Sequence, residues 1–181
     1  LKLVHALDFF ALDPAGGVCL DLGASTGGFT EGLLERGAAP VIAIDVGHGQ
    51  LAKEIAADER VRSVEGLNAK DITRELVPER ISFLVADLSF IGLRKALPPA
   101  LALTEPGATL IALIKPQFEA GPENVGKGGI VRDPALHERI CGDISAWFGD
   151  DMGWRVLGLT ESPIEGGNGN TEFLIAARHD R

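Results

Sequence analysis

A doubly wound α/β fold is predicted, with one mostly parallel sheet of seven strands and an antiparallel strand at its C-terminal end. Three features of the chain predict it. Short apolar runs alternate with segments of helical periodicity along the sequence. Polar residues stand at the ends of four of those runs, namely Asp21, Asp45, Asp87 and Lys115, where open α/β sheets place their ligands. A glycine-rich turn, Gly23-Ala24-Ser25-Thr26-Gly27-Gly28, joins the first run to a helix, and such a turn leaves backbone N–H groups open to a ligand.

Each element has a local reason. Leu3, Val4, Leu7, Phe10 and Ala11 make one apolar face of an opening helix, closed by the turn cluster Asp13-Pro14-Ala15-Gly16-Gly17. Val18–Leu22 is the first strand, the glycine turn follows, and Thr30–Glu35 is helical. Val41–Asp45 is a second buried strand, and Leu51–Ala57 a short helix after Gly47 and Gly49. Val61–Glu65 is a weaker third strand, followed by Gly66-Leu67-Asn68; Ile81–Asp87 is a fourth. Gly92–Leu103 is expected to be helical until Glu105-Pro106-Gly107 stops it, and Thr109–Lys115 is a fifth strand ended by Pro116. Residues 116–132 are glycine-rich and patternless, as lids and binding loops are. Asp133-Pro134 opens a helix carrying Leu136, Ile140, Ile144, Trp147 and Phe148 on one face. Trp154–Leu159 and Phe173–Ala177 follow with no helix between them, which predicts an antiparallel edge pair.

The glycine turn departs from two common phosphate-binding patterns. The dinucleotide fingerprint needs glycine where this chain has Ser25, and a P-loop needs Lys and Ser/Thr where Phe29 follows Gly28. Asp45 lies 22 residues beyond Gly23, where nucleotide-binding α/β folds place an acid for ribose hydroxyls.

Bulk composition narrows the function classes. With 181 residues, 45% hydrophobic and 24% charged, the chain fits one globular domain. No apolar run is long enough for a membrane span, and Leu1–Phe10 lacks a signal-peptide layout. Cys19 and Cys141 have neither metal-ligand nor redox spacing, so buried thiols in a reducing compartment, the cytoplasm, are expected. The four histidines, His5, His48, His137 and His179, are scattered, and no metal site is expected. A net charge of −9 argues against a large basic surface for nucleic acid on this domain.

The run Asp-x-Gly-x-x-x-Gly-Gly, from Asp21 to Gly28, is similar to motif I of S-adenosylmethionine-dependent methyltransferases. LDLGASTGGFT, AIDVGHGQL, ADLSFIGLRKALP, LIKPQFEAGPENVGKGGIVRDP and SPIEGGNGNTEFLIAAR together resemble the TlyA-type rRNA methyltransferases, often labelled haemolysins, whose catalytic domain is FtsJ-like. The resemblance spans essentially the whole chain. It implies a Rossmann-like class I methyltransferase fold and methylation of ribose 2′-hydroxyls of ribosomal RNA with S-adenosylmethionine as cofactor. It also implies a Lys-Asp-Lys-Glu tetrad at Lys2, Asp87, Lys115 and Glu172, with Lys115 as general base, Lys2 as its neighbouring cation, and the two carboxylates orienting the ammonium groups. A ribose hydroxyl is a poor nucleophile, and a desolvated lysine beside another cation can take its proton. For the cofactor, the resemblance places Asp21, Gly23, Ser25, Thr26, Gly27, Gly28 and Phe29 around the methionine portion. Asp45 falls at the ribose, Val46 on the adenine and Asn68 at the adenine edge. The family usually carries an S4-type RNA-binding module, which nothing in Leu1–Arg181 resembles; a single catalytic domain over 1–181 is expected, with RNA affinity supplied by that module.

Alternatives remain at this stage. The glycine turn could be an ordinary βα turn, Lys2 a solvated terminal charge, Asp87 and Lys115 plain strand-end charges, Glu172 a charge protecting an edge strand, and Asn68 a turn residue. Lys127, Arg132, Arg94 and Lys95 could meet phosphates or only solvent. The acceptor could be a small molecule, which the negative charge favours, or the domain could bind cofactor without catalysing. A membrane-lytic role lacks the apolar span, barrel alternation or basic amphipathic helix that it needs.

Overall fold

The computed structural model describes residues 1–180. Its strands are β1 (Cys19–Leu22), β2 (Val41–Asp45), β3 (Val61–Glu65), β4 (Ile81–Ala86), β5 (Thr104–Ile114), β6 (Trp154–Glu161) and β7 (Phe173–His179). They form one sheet in the order β3-β2-β1-β4-β5-β7-β6. The first five pair in parallel, while β7 runs antiparallel to both neighbours. The fold is the α/β, doubly wound, seven-stranded architecture expected.

Alternation along the strands sorts side chains onto two faces. Leu20, Leu22, Ile42, Ile44, Leu84 and Leu110 face one layer, packed by α4 (Leu93–Ala96), α5 (Pro98–Leu101) and α7 (Pro134–Ala146). Cys19, Val41, Phe83, Val85 and Ile111 face the other, covered by Leu3 and Leu7 of α1 (Lys2–Phe9) and by Phe29 and Leu33 of α2 (Gly28–Glu35). Each such aliphatic side chain contributes about 1.5–3 kcal/mol on full burial. Two short helices, α3 (Lys53–Ala56) and α6 (Pro116–Glu119), sit on loops at the carboxyl ends of β2 and β5. Strand order reverses between β1 and β4, and a crevice opens beyond their carboxyl ends.

Several local expectations are corrected. The helix expected over Gly92–Leu103 is two short ones, because Pro98 and Pro99 cannot continue the first and instead start the second. β5 begins at Thr104, and Glu105-Pro106-Gly107 is a bulge inside it: pairing jumps from Ile81↔Thr104 to Phe83↔Thr109. Residues 116–132, though patternless, are not structureless, since α6 is followed by 3₁₀ turns at Pro122–Asn124 and Lys127–Gly129. The C-terminal strands do pair antiparallel, but only β6 is an edge; β7 inserts between β5 and β6. Glu172, which precedes β7, therefore guards no edge.

Candidate active site

β1 runs into the glycine turn at the crevice. Gly23 has φ +78, and a Cβ there would lie 2.2 Å from the backbone oxygen of Asp87, so the turn can press against the end of β4 only without a side chain. Ser25 occupies the position where a dinucleotide fingerprint has glycine, and it takes φ +51 nonetheless, an uncommon conformation for a residue with a Cβ. Its N–H donates to Asp45 Oδ2, and Asp45 Oδ1 accepts from Gly47 N–H at 2.9 Å. Asp45 thereby shapes the loops after β1 and β2 together.

Asp21 sits lower. It is the third residue of β1, on the α1/α2 face, fully buried, with Oδ2 accepting from Thr30 Oγ1 at 2.6 Å and Oδ1 buried without a partner among the described residues. It lines none of the cavities at the crevice; it braces the start of α2 from below. Burial pushes its carboxyl up to about 7, opposed by the Thr30 hydrogen bond and reinforced by Asp87 and Asp45. Burial likewise pushes the Cys19 thiol up to about 12 and Cys141 to about 11, so both are free, protonated thiols.

The four residues of the expected tetrad gather on this side of the sheet, as two ion pairs. Lys115, immediately after β5, places Nζ 2.6 Å from Asp87 Oδ1, and Nζ also donates to Ser89 Oγ at 3.2 Å. Lys2, in the first turn of α1, donates to Glu172 Oε1 at 2.9 Å. Glu172 is 1% exposed, and its Oε2 accepts from Gln117 Nε2 at 3.2 Å. Its carboxylate lies so close beneath Gly166 that a Cβ there would fall 1.9 Å from Oε2.

Three cavities meet around these groups. One of about 370 Å³ is lined by Gly23, Ser25, Asp45, Val46, Gln50, Asn68, Asp87 and Phe90, among others. A second, of about 320 Å³, shares Gly23, Ser25 and Asp87 and adds Lys2, Thr26, Gly28 and Phe29. A third, of about 340 Å³, shares Ser89 and Phe90 with the first and adds Lys115, Gln117, Phe118, Asn170 and Glu172. An elongated ligand in the first two would pass Asp87 at their junction, and the third opens beside Lys115.

Other expected residues fall as follows. Gly27 precedes α2 on φ +106, and a Cβ there would lie 2.7 Å from the side chain of Ile55 and 2.9 Å from that of Leu51. Asn68 does line the first cavity, but its Oδ1 also caps a 3₁₀ turn by accepting from Lys70 N–H at 3.1 Å. Arg94, Lys95, Lys127 and Arg132 line none of the three cavities. Among the described residues, no three His, Cys, Asp or Glu side chains gather as a metal ion needs, and no helix is long and apolar enough to cross a membrane.

The patternless stretch proves to be a wall of the third cavity. Glu119 accepts from Leu93 N–H at 2.7 Å, tying α6 to the start of α4, and burial raises its carboxyl above the usual range. Asn170, 1% exposed, accepts from Val131 N–H at 3.0 Å and donates to Gly129 O at 2.9 Å; Asn168 donates to Gly128 O at 2.8 Å. The two asparagines thus clamp residues 128–131 to the loop before β7. Phe90 stands 89% exposed at the rim, on φ +65, with its ring 5.0 Å from that of Phe118. Sequence reasoning singled out none of Ser89, Phe90, Gln117, Gly166 and Asn170; Ser89-Phe90 directly after the strand-four acid and Gln117 two residues beyond Lys115 were the signals available.

The residues fit the cofactor the resemblance implied: a glycine cradle, an acid braced between two loops, and two joined cavities. Comparison with known proteins agrees. A family model described as FtsJ-like methyltransferase matches residues 1–179. The chain is 47% identical over 177 residues to the 16S/23S rRNA (cytidine-2′-O)-methyltransferase TlyA of Mycobacterium tuberculosis, covering 98% of this chain and 66% of the relative, so it spans just under two thirds of that protein's length. A Lactococcus lactis protein that carries a hemolysin label superposes with a TM-score of 0.95 at 46% identity, over 99% of this chain and 86% of that one. An S-adenosylmethionine-dependent methyltransferase from Mesorhizobium loti shares the fold with a TM-score of 0.65 at 15% identity, over 98% of each chain.

Proposed function

Because the chain belongs to the FtsJ-like methyltransferase family, we propose that it methylates a ribose 2′-hydroxyl of ribosomal RNA, with S-adenosylmethionine as the methyl donor. One observation carries this reading: the Lys115–Asp87 pair joins the cavity that Lys115 lines to the two around the glycine turn that Asp87 lines. Gly23, Ser25, Thr26, Gly28 and Phe29 would hold the methionine portion of the cofactor, Asp45 its ribose, Val46 and Asn68 its adenine. Gly27 shapes the turn, and Asp21 supports it from beneath. When bound, S-adenosylmethionine supplies a methyl group already activated by its sulfonium.

What remains for the protein is to position and deprotonate the acceptor. Lys115 is the general base. Its Nζ must first shed a proton; Asp87, whose Oδ1 lies 2.6 Å away, is its counter-charge, and Ser89 aims the amine by accepting from Nζ. The proton of the ribose hydroxyl then passes to Nζ. Lys2 and Glu172 supply a fixed cation and its counter-charge beside the site. Phe90 offers an exposed ring for the base of the target nucleotide to stack upon. The Mycobacterium tuberculosis relative is named for cytidines of 16S and 23S rRNA, so a cytidine in either is the first target to test. A ribosomal substrate places the protein in the cytoplasm. With a net charge of −9, RNA affinity falls largely to an S4-type module rather than to this domain.

The test is methyl transfer from labelled cofactor to purified ribosomal subunits, wild type against Lys115→Ala. Label on ribose in the wild type, with turnover reduced at least a hundredfold in the variant, is expected. Near-normal turnover of Lys115→Ala at saturating cofactor would remove Lys115 as the base. A small-molecule acceptor is the second reading, favoured by the acidic surface; transfer to small hydroxylated acceptors with none to RNA would establish it instead.

A further inference from the structure

We propose that Gln117 is a positioning residue of this site, acting through Glu172; the inference rests on the methyl-transfer reading above. Glu172 is almost fully buried, and a buried carboxylate needs both oxygens engaged. Lys2 takes Oε1 and Gln117 Nε2 takes Oε2, while Gly166 closes over the carboxylate from the other side. Chemistry settles the orientation of the Gln117 amide, because only its NH₂ can donate to a carboxylate. Its Oε1 is then buried with no donor to meet it among the described residues.

An amide held with one end satisfied and the other orphaned is a poor choice for stability; an apolar side chain of the same size would fold better. The residue therefore serves the hydrogen bond that it makes. A neutral donor fits the task. It fixes Glu172 without adding a charge, so among the described residues Lys2 remains the only cation on that carboxylate and the four tetrad charges still cancel. The position of Gln117 in the chain adds a second constraint. It follows Lys115 across the single rigid residue Pro116, in the first turn of α6, so the residue that sets Glu172 is nearly fixed relative to the base. Gln117 joins the two ion pairs into one frame.

Gln117→Leu removes the donor at nearly constant volume, and Gln117→Glu replaces it with a carboxyl that donates only while protonated. Both are assayed against wild type for methyl transfer to ribosomal subunits at saturating cofactor, with thermal melting and cofactor titration alongside. For Gln117→Leu we expect kcat reduced roughly tenfold, cofactor affinity unchanged and melting temperature equal or higher. For Gln117→Glu, activity relative to wild type should be greatest at low pH and fall as pH rises. The new carboxyl there loses its proton beside Glu172, with Lys2, Lys115 and Asp87 the neighbouring tetrad charges. Wild-type kcat in Gln117→Leu overturns the inference, as does a loss that tracks a lowered melting temperature with no recovery of Gln117→Glu at low pH. Absence of ribose methylation by the wild type would instead overturn the reading beneath it, so the two failures are distinguishable.

Discussion

Asp21→Asn separates the support of the glycine turn from its chemistry. The Asp21 carboxyl is fully buried, and burial lifts it from 3.8 to about 7 despite the Thr30 hydrogen bond, with Asp87 and Asp45 adding to the rise. A carboxyl raised by folding binds a proton in the native state that the unfolded chain has already released. Stability from this group is therefore present below about pH 4 and lost as pH climbs to about 7. A rise of about three pK units corresponds to roughly 4 kcal/mol across that window. The asparagine keeps an oxygen for Thr30 Oγ1 and cannot ionise, so it escapes the loss. Urea denaturation of both proteins from pH 4.5 to 8.5 should show the stability of the variant gaining on wild type by a few kcal/mol between the extremes, with most of the change complete by pH 7.5. Parallel stability–pH curves would refute the claim that Asp21 is desolvated beneath the turn. An Asp21 that was ionised and paired in the native state would give that same parallel result, because its pH dependence would lie below the ordinary value of 3.8.

Phe90→Ala should weaken the apparent affinity for the RNA acceptor by roughly five- to a hundredfold, the range for losing one stacked base. Melting temperature should hold, because the ring is 89% exposed; equal KM values for subunits would exclude the stacking role. Gly166→Ala should lower kcat at least tenfold, since its Cβ would have to displace the Glu172 carboxylate that now lies 1.9 Å from the ideal position. Unchanged turnover with the same fold would show that the placement of Glu172 does not matter to the reaction.

Much of this was written in local pattern. Buried runs such as Val41–Asp45 and Ile81–Ala86 announce strands because every residue but Ser82 is apolar until the last position or the next, and that boundary residue is where the sheet meets its ligand crevice. The tetrad was legible through resemblance, and its members do gather. What stayed hidden depends on contacts across the chain. Pro106-Gly107 reads as a stop, yet Thr104 still finds Ile81, and the strand absorbs the interruption as a bulge. Residues 116–132 carry no periodicity because side chains from elsewhere hold them: Asn168 and Asn170 at one end, and the start of α4 through Glu119 at the other. Asp21 looked like a ligand-facing acid from its place near a strand end. Strand alternation turns it to the α1/α2 face instead, where Thr30 meets it.

On the proposed reaction, the division of the tetrad into two pairs gives its lysines unequal roles. Lys2 is bound to a carboxylate whose second oxygen is taken by Gln117 and whose flank is closed by Gly166. Nothing in that arrangement can accept a proton without breaking it. Asp87 differs: its side chain is 29% exposed, it borders the two cavities assigned to the cofactor, and Lys115 meets it at 2.6 Å. Lys115 borders the third cavity and Asp87 the first two, so the proposed proton exchange at Lys115 leaves the Lys2–Glu172 pair intact. On the proposed reaction, the first pair is the working base with its counter-charge, and the second is a fixed field that holds the acceptor in line. The two lysines are then not interchangeable, although each stands beside one carboxylate. The asymmetry lies in what surrounds the carboxylates: Glu172 is enclosed by Gly166 and Gln117, while Asp87 opens onto the crevice between β1 and β4.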